Sequence, residues 1–279
     1  MQYNHLLGVF FSLLSAVFWS TNDIFNKKLI QKEYDENFIL WIRFPLGVVF
    51  LLPFGIYFWD MNSTVIYTTF LWLPLEILAS IFFIRALKYS PLSLTMSFFA
   101  TMPVFSASAG WVLLGEGLDF KGILGMFLIF YGSTILVGSD FKSFFTANKG
   151  AFYALLSSFL FGINVVIGKI AVIGSNQFFF SWYYCLVMSF ALIPFVKKFP
   201  EFRKSIKEYE FIVVGVLFSL GMVFYTWAYI YTYASYVAAI ERFAILLDVI
   251  YGRIFFGEKI RNALKASFIM ILGALLLSL

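Results

Sequence analysis

The chain has 279 residues, of which 62% are apolar, 22% aromatic and only 13% charged, with a mean hydropathy of +0.89. A soluble domain carries roughly 45–50% apolar residues, so this composition excludes one and indicates an integral membrane protein. The net charge of +5 does not signal nucleic acid, because the Lys and Arg lie in short connections between apolar runs, where they act as orientation signals. A single cysteine, Cys185, and a single histidine, His5, exclude an intrachain disulfide, a Cys/His metal cage and histidine catalysis within the membrane.

Windows of roughly 20 apolar residues, enough to cross a bilayer core of about 30 Å, divide the chain into ten predicted helices. The first, 6–26, carries Asn22 and Asp23 and runs toward Lys27; Asp23 and Lys27 have the i,i+4 spacing of a structural ion pair. The second, 36–58, holds Arg43 near its start, and the third, 64–88, holds Glu76 in mid-span after Pro74. The fourth, 91–114, offers hydroxyls at Thr95, Ser97, Thr101, Ser106 and Ser108. Its Pro103 either frees the Phe99 carbonyl to face a cavity or only bends the helix, and the hydroxyls suit a cavity or helix packing equally. A fifth helix, 119–138, follows Gly115-Glu116-Gly117. Then come 148–171 with Asn164, 176–196, an extramembrane loop from Lys197 to Glu210, 211–233, 235–256, and 262–279 after Gly257-Glu258. Glycine at the two Gly-Glu exits suits a left-handed helix cap. No cleavable signal peptide is evident, since the first apolar stretch has no basic segment before it.

The second half repeats the first at an offset of 142 residues. Over the 23 positions 8–30, seven are identical: Gly8, Phe10, Leu13, Leu14, Ser15, Asn22 and Lys27 recur as Gly150, Phe152, Leu155, Leu156, Ser157, Asn164 and Lys169. So biased a composition gives roughly two matches by chance. Tyr89 with Tyr231, Ser93 with Ser235, Gly110 with Gly252, and Gly115-Glu116 with Gly257-Glu258 keep the same offset. The units are 1–142 and 143–279. Five helices per unit is an odd number, so the second unit enters the membrane inverted, and the expected fold is all-α with ten transmembrane helices as two inverted five-helix repeats. Fifteen Lys and Arg fall in the loops of one side, from Lys27, Lys28 and Lys32 to Lys259, Arg261 and Lys265, against Lys121 and Lys169 on the other. That asymmetry places both termini outside the cytoplasm.

The stretch from Leu14 through Trp19-Ser20-Thr21-Asn22-Asp23 with Lys27 after it, the exit Leu113-Leu114-Gly115-Glu116, its echo Phe255-Phe256-Gly257-Glu258 and the paired five-helix units resemble the EamA-type, ten-helix branch of the drug/metabolite transporter superfamily. The resemblance spans essentially the whole chain. It implies a transporter with a central cavity lined by predicted helices 1–4 and 6–9 and with helices 5 and 10 peripheral. Relatives carry amino acids, nucleotide sugars, sugar phosphates, cations or drugs. Members are usually drawn with both termini inside, against the charge count here.

A charge at the bilayer centre costs roughly 2.5–3.5 kcal/mol on the insertion scale, so ionisable groups inside the spans mark function. These are Asp23, Arg43, Glu76, Glu241, Arg242, Asp248 and Arg253. Glu241 and Asp248, seven apart, share a helix face, with Arg242 and Arg253 on a neighbouring one. Snorkelling to the interface is the structural alternative for Arg43 and Arg253. Enzyme motifs are missing: there is no phosphate loop, His-Glu-x-x-His, Gly-x-Ser-x-Gly or metal pair, and no cofactor is implied. The expected activity is secondary transport of small polar metabolites, amino-acid-like or otherwise zwitterionic, by alternating access. Arg242 aided by Arg43 would bind the anion, Glu241 and Asp248 an ammonium group or coupling proton, and Asn22 and Asn164 would be paired polar contacts; Asp23 and Glu76 complete the candidate site. The expected surroundings are the lipid bilayer of a prokaryotic cytoplasmic membrane. A passive channel is the alternative, and a membrane-embedded enzyme a lesser one.

Overall fold

A computed structural model describes residues 5–114, 120–137, 146–199, 208–231 and 240–278. Among these the secondary structure is helical: α1 (His5–Gln31), α2 (Glu36–Tyr57), α3 (Ser63–Tyr89), α4 (Leu92–Phe99), α5 (Met102–Leu114), α6 (Phe120–Val137), α7 (Lys149–Ile173), α8 (Gln177–Ala191), a 3₁₀ turn (Ile193–Phe195), α9 (Tyr209–Tyr231), α10 (Phe243–Phe256) and α11 (Arg261–Ser278). Seven stretches are long and apolar enough to cross a bilayer: Leu6–Gln31, Glu36–Tyr57, Ser63–Tyr89, Leu92–Val112, Lys149–Val172, Gln177–Phe195 and Tyr209–Ala228. Phe120–Ile135 is a shorter apolar helix. The start of the predicted helix 235–256, most of the 197–210 loop and the Gly115-Glu116 exit lie outside the described residues.

Local chemistry sets the helix starts. Asp35, Asn62 and Asn176 are N-caps, accepting from Phe38 N at 2.9 Å, Val65 N at 3.1 Å and Phe178 N at 3.0 Å. Gly257, at φ 65°, closes α10 in the left-handed region that favours glycine, as the sequence predicts.

The predicted fourth helix, 91–114, is corrected: it is broken into α4 and α5 at Ala100 and Thr101. Pro103 cannot donate to Phe99, and tight bonds from Thr101 N to Phe98 O and Val104 N to Thr101 O, both 3.0 Å, replace the regular ladder. The Thr101 hydroxyl fastens the break to Ser158 of α7 at 3.0 Å. A second interruption falls at Arg242, where Ile245 N bonds Arg242 O at 3.1 Å before α10 begins.

The helices pack chiefly as α1 on α9, α3 on α7, α2 on α8 and α6 on α11, with α4 and α5 against α7, and α10 against α1 and α4. The rim is apolar: Val49, Ile56, Phe70, Phe127, Phe130 and Ile254 are all exposed. So large an exposed apolar surface suits lipid and not water. The interior instead carries serines, asparagines and charges.

The α2–α8 contact depends on glycines. A Cβ on Gly55 would run into the Trp182 ring, and one on Gly47 would lie 2.9 Å from the Cys185 sulfur. Gly55→Val should therefore destabilise the protein by about 1–3 kcal/mol, with an altered Trp fluorescence spectrum on thermal unfolding in detergent; a wild-type midpoint would contradict this packing.

Candidate functional site

Arg43 is the hub of the interior. It is 7% exposed, which sets aside the snorkelling alternative, and its guanidinium lies 4.8 Å from the Phe44 ring centroid and 4.7 Å from that of Phe218 on α9. Asp23 of α1 and Glu76 of α3 are within its electrostatic reach, yet neither closes an ion pair with it. The Arg43 Nε has no hydrogen-bond partner.

Glu76 is held by neutral donors. Tyr184 Oη of α8 and Asn164 Nδ2 of α7 each donate to it at 2.6 Å, so residues from both halves meet on one carboxylate. Trp72 and Phe44 pack on Tyr184 with ring centroids 5.6 and 5.8 Å away. On the other side of Arg43, α1 receives the acids that flank the second interruption, Glu241 before it and Asp248 after it. Ser20 Oγ donates to Asp248 Oδ1 at 2.6 Å and Ser15 Oγ to Glu241 Oε1 at 3.2 Å. Glu241 and Asp248 thus do share a face, the one against α1. Asp248 is in electrostatic reach of Asp23, so the series Glu76, Arg43, Asp23, Asp248 runs across the protein. Arg242 is buried beside Glu241 at the helix interruption.

Two expectations change. Asp23 and Lys27 do not pair: Lys27 Nζ donates to the Leu87 and Ser90 carbonyls at the end of α3, and Asp23 accepts from Asn26 at 3.4 Å. The free carbonyls of a helix C-terminus hold a cation well, and two of them take the lysine in place of the Asp23 carboxylate. Asn22 and Asn164, one from each half, hold separate partners, Asn22 Nδ2 donating to the Val214 carbonyl of α9 at 2.7 Å and Asn164 Nδ2 to Glu76. Arg253 is exposed and reaches only the Glu258 carbonyl, at 3.4 Å, which is the interfacial alternative. Glu258 itself caps α4, accepting from Leu92 N at 2.7 Å, Ser93 N at 2.9 Å and Ser93 Oγ at 2.6 Å. The α3–α4 corner therefore has a cation on its carbonyl end and an anion on its amide end. Ser15, Ser20, Asn26 and Phe218 were not singled out as site residues by sequence; only Ser20 and Asn26 stand one helix turn from a buried acid, Asp23.

The two ends of the bundle are closed differently. On the basic face, Lys32 bridges Glu208 and Glu210 at 2.5 and 2.7 Å, Tyr34 Oη donates to Glu208 at 3.3 Å, and Lys88 pairs with Glu36 at 2.9 Å. An open cavity of about 650 Å³ lies there, reaching Lys27, Gln31, Lys88 and Lys198. At the opposite end Asn176 N donates to Asp60 at 2.7 Å and Asn62 Nδ2 to the Gly174 carbonyl at 2.9 Å.

A family model described as EamA-like transporter family matches residues 6–138 and again 148–279. An uncharacterized transporter of Archaeoglobus fulgidus is 26% identical over 287 residues, covering 98% of each chain. A solved crystal structure aligns with a TM-score of 0.65 over 97% of this chain and 95% of that one, at 14% identity, a likeness of fold alone.

The basic-face bridge has a defined pH window. Hydrogen bonding to Lys32 holds Glu208 below its ordinary 4.5, and the two glutamates raise Lys32 above its ordinary 10.5. The Glu208 contribution is complete above 4.5 and is lost as pH falls through the lower folded value; the Lys32 contribution is complete below 10.5 and is lost above the raised one. A nitroxide on Gln31→Cys, in a Cys185→Ser background, should stay immobile at neutral pH and gain mobility as pH falls below 4.5. Lys32→Ala should make it mobile already at neutral pH; an unchanged spectrum in either case contradicts the bridge.

Proposed function

The chain belongs to the EamA-like transporter family, and on that premise we propose that it is a secondary carrier of small polar metabolites, amino-acid-like or otherwise zwitterionic, working by alternating access. The observation that carries this reading is the pair of helix interruptions at Ala100–Thr101 and Arg242. Positions 100 and 242 are 142 residues apart, the offset of the sequence repeat. Broken helices at corresponding places in two halves build substrate sites near the midplane, because exposed backbone there needs a cavity or a ligand.

Packing supports two inverted five-helix units, 1–142 and 143–279. Exchanging the halves turns the α1–α9 pair into α7–α3, turns α4 and α5 on α7 into α10 on α1, and returns α2–α8 and α6–α11 to themselves. The two matches of one family description, which start 142 residues apart, fit the same arrangement. Ten crossings follow if α4 with α5, α6, α10 and α11 each span once.

In this reading Arg43 and Arg242 receive the anionic group, and Asp23, Glu76, Glu241 and Asp248 the ammonium group or a coupling proton, with Asn22 and Asn164 fixing the two halves around them. Buried carboxylates without cations suit exchange of a proton or a ligand. A closed Lys32 bridge beneath an open basic-face cavity suits a gate. Family and relative point to a transporter rather than an enzyme. The fifteen-to-two distribution of basic residues continues to favour termini outside the cytoplasm.

Counterflow in proteoliposomes tests the function. Vesicles preloaded with a metabolite mixture should accumulate a labelled member of it against its gradient, whereas equal rates with empty vesicles would mark a passive channel. Arg43→Lys should transport more slowly than wild type, because the planar fork is lost, and Arg43→Ala should not transport. Orientation has its own test: Lys198→Cys in a Cys185→Ser background should resist an impermeant thiol reagent on intact cells, and rapid labelling overturns the charge-based topology.

A further inference from the structure

The central charges do not balance. Asp23, Glu76 and Asp248 are each more than nine-tenths buried, and among the described residues none has a lysine or arginine nitrogen within ion-pair distance. Glu241 is set apart by Arg242 beside it. Arg43 is the cation in electrostatic reach of Asp23 and Glu76. Asp248 faces Asp23 and not Arg43, so with all three carboxylates ionised one guanidinium, in reach of two of them, leaves two negative charges uncovered. A closed apolar interior excludes such charges unless something positive joins them.

Two of the buried polar atoms without a partner lie beside these carboxylates, and both are acceptors. The Val214 carbonyl can only accept, so Asn22 Nδ2 must face it and Asn22 Oδ1 must accept from Asn26 Nδ2, at 2.7 Å. This commits the Asn26 amide, and Asn26 Oδ1, in a residue 1% exposed, is left without a donor beside Asp23. Asn164 Nδ2 is committed to Glu76, and Asn164 Oδ1 is likewise left without a donor. What is missing at both places is a donor next to a carboxylate. Asp23 lies eight residues from the basic end of α1 and Glu76 thirteen from that of α3. At about 1.5 Å per residue the two seats differ in depth by roughly 7–8 Å along the helix axes, the least distance a ligand joining them has to span.

We propose that the central site binds a diamino compound, two ammonium groups on an apolar linker of four or five carbons, one seated at Asp23 and Asn26 and the other at Glu76 and Asn164. The proposal rests on the carrier reading above and narrows its ligand. The rings of Phe44 and Tyr184, near Arg43 and Glu76, face the linker. The unpartnered Arg43 Nε has the donor that the carboxylate of a diamino acid requires, so plain diamines and diamino acids share the two seats and differ at Arg43.

The test is thermal unfolding of the purified full-length protein in detergent, at fixed ionic strength and pH. The probes are putrescine, cadaverine, L-ornithine and L-lysine, compared with n-butylamine, L-leucine and butyrate. The diamino probes should raise the midpoint, and a diamine series of two to eight carbons should peak at four or five. Glu76→Gln and Asp23→Asn should each weaken binding by about tenfold or more, and Arg43→Gln should lower the affinity for ornithine and lysine relative to that for putrescine. A shift from n-butylamine or L-leucine equal to that from the diamines, a flat length series, or no shift from any diamino probe overturns the proposal. The length series uses the wild-type protein, so it decides the matter even where a variant does not fold. Counterflow of another metabolite by a protein that binds no diamine sinks this inference and leaves the carrier; diamine binding with no counterflow of any solute sinks the carrier and leaves the site.

Discussion

The structure turns on one constraint: ionised side chains held in an apolar medium must find counter-charges or donors inside the protein. Arg43 answers part of that demand for Asp23 and Glu76 without closing on either. A closed ion pair would be self-sufficient and inert. The open arrangement is held by neutral groups instead, with Tyr184 and Asn164 on Glu76, Ser20 on Asp248 and Ser15 on Glu241. These donors come from α1, α7 and α8, so the state of the charges is tied to how the helices of the two halves sit against each other.

Helix interruptions and end closures extend this coupling along the bundle. Thr101 anchors one break to Ser158 of α7, while the break at Arg242 places Glu241 against Ser15 of α1. Each break therefore rests on a helix of the other half. The Lys32 bridge to Glu208 and Glu210 and the Asp60–Asn176 link join the halves again, at opposite ends. The first hangs on the exposed Lys32 and the partly exposed Glu208, which water and salt can reach although Glu210 is buried, and the second on caps that also start helices. That difference makes the basic face the easier one to open.

Much of the fold is legible in the sequence because membrane helices must be long and apolar, and because the repeat at 142 residues carries its own register. The break at Ala100 had a signal in Pro103, although its depth exceeded a bend. The break at Arg242 had none, since neither proline nor glycine marks it and only the offset from the first break points there. The site was legible as a set of residue types. Asp23, Arg43, Glu76, Glu241, Arg242 and Asp248 are rare enough inside apolar runs to be noticed one by one. Their partners were not, because serine at positions 15 and 20 is common in membrane helices and the spacing along α1 says nothing of which neighbour it meets. The Asp23–Lys27 pairing misled for a related reason: i,i+4 proximity is available locally, but the carbonyls of Leu87 and Ser90 compete for the lysine from 60 residues away.

The central claim is that Arg43 makes the buried carboxylates tolerable. A double-mutant cycle of Arg43→Gln and Glu76→Gln, read as unfolding free energy in detergent, tests it most directly. The account predicts that Arg43→Gln alone costs about 3 kcal/mol, because it strands a buried acid, and that adding Glu76→Gln restores most of that loss. Strictly additive losses would contradict it.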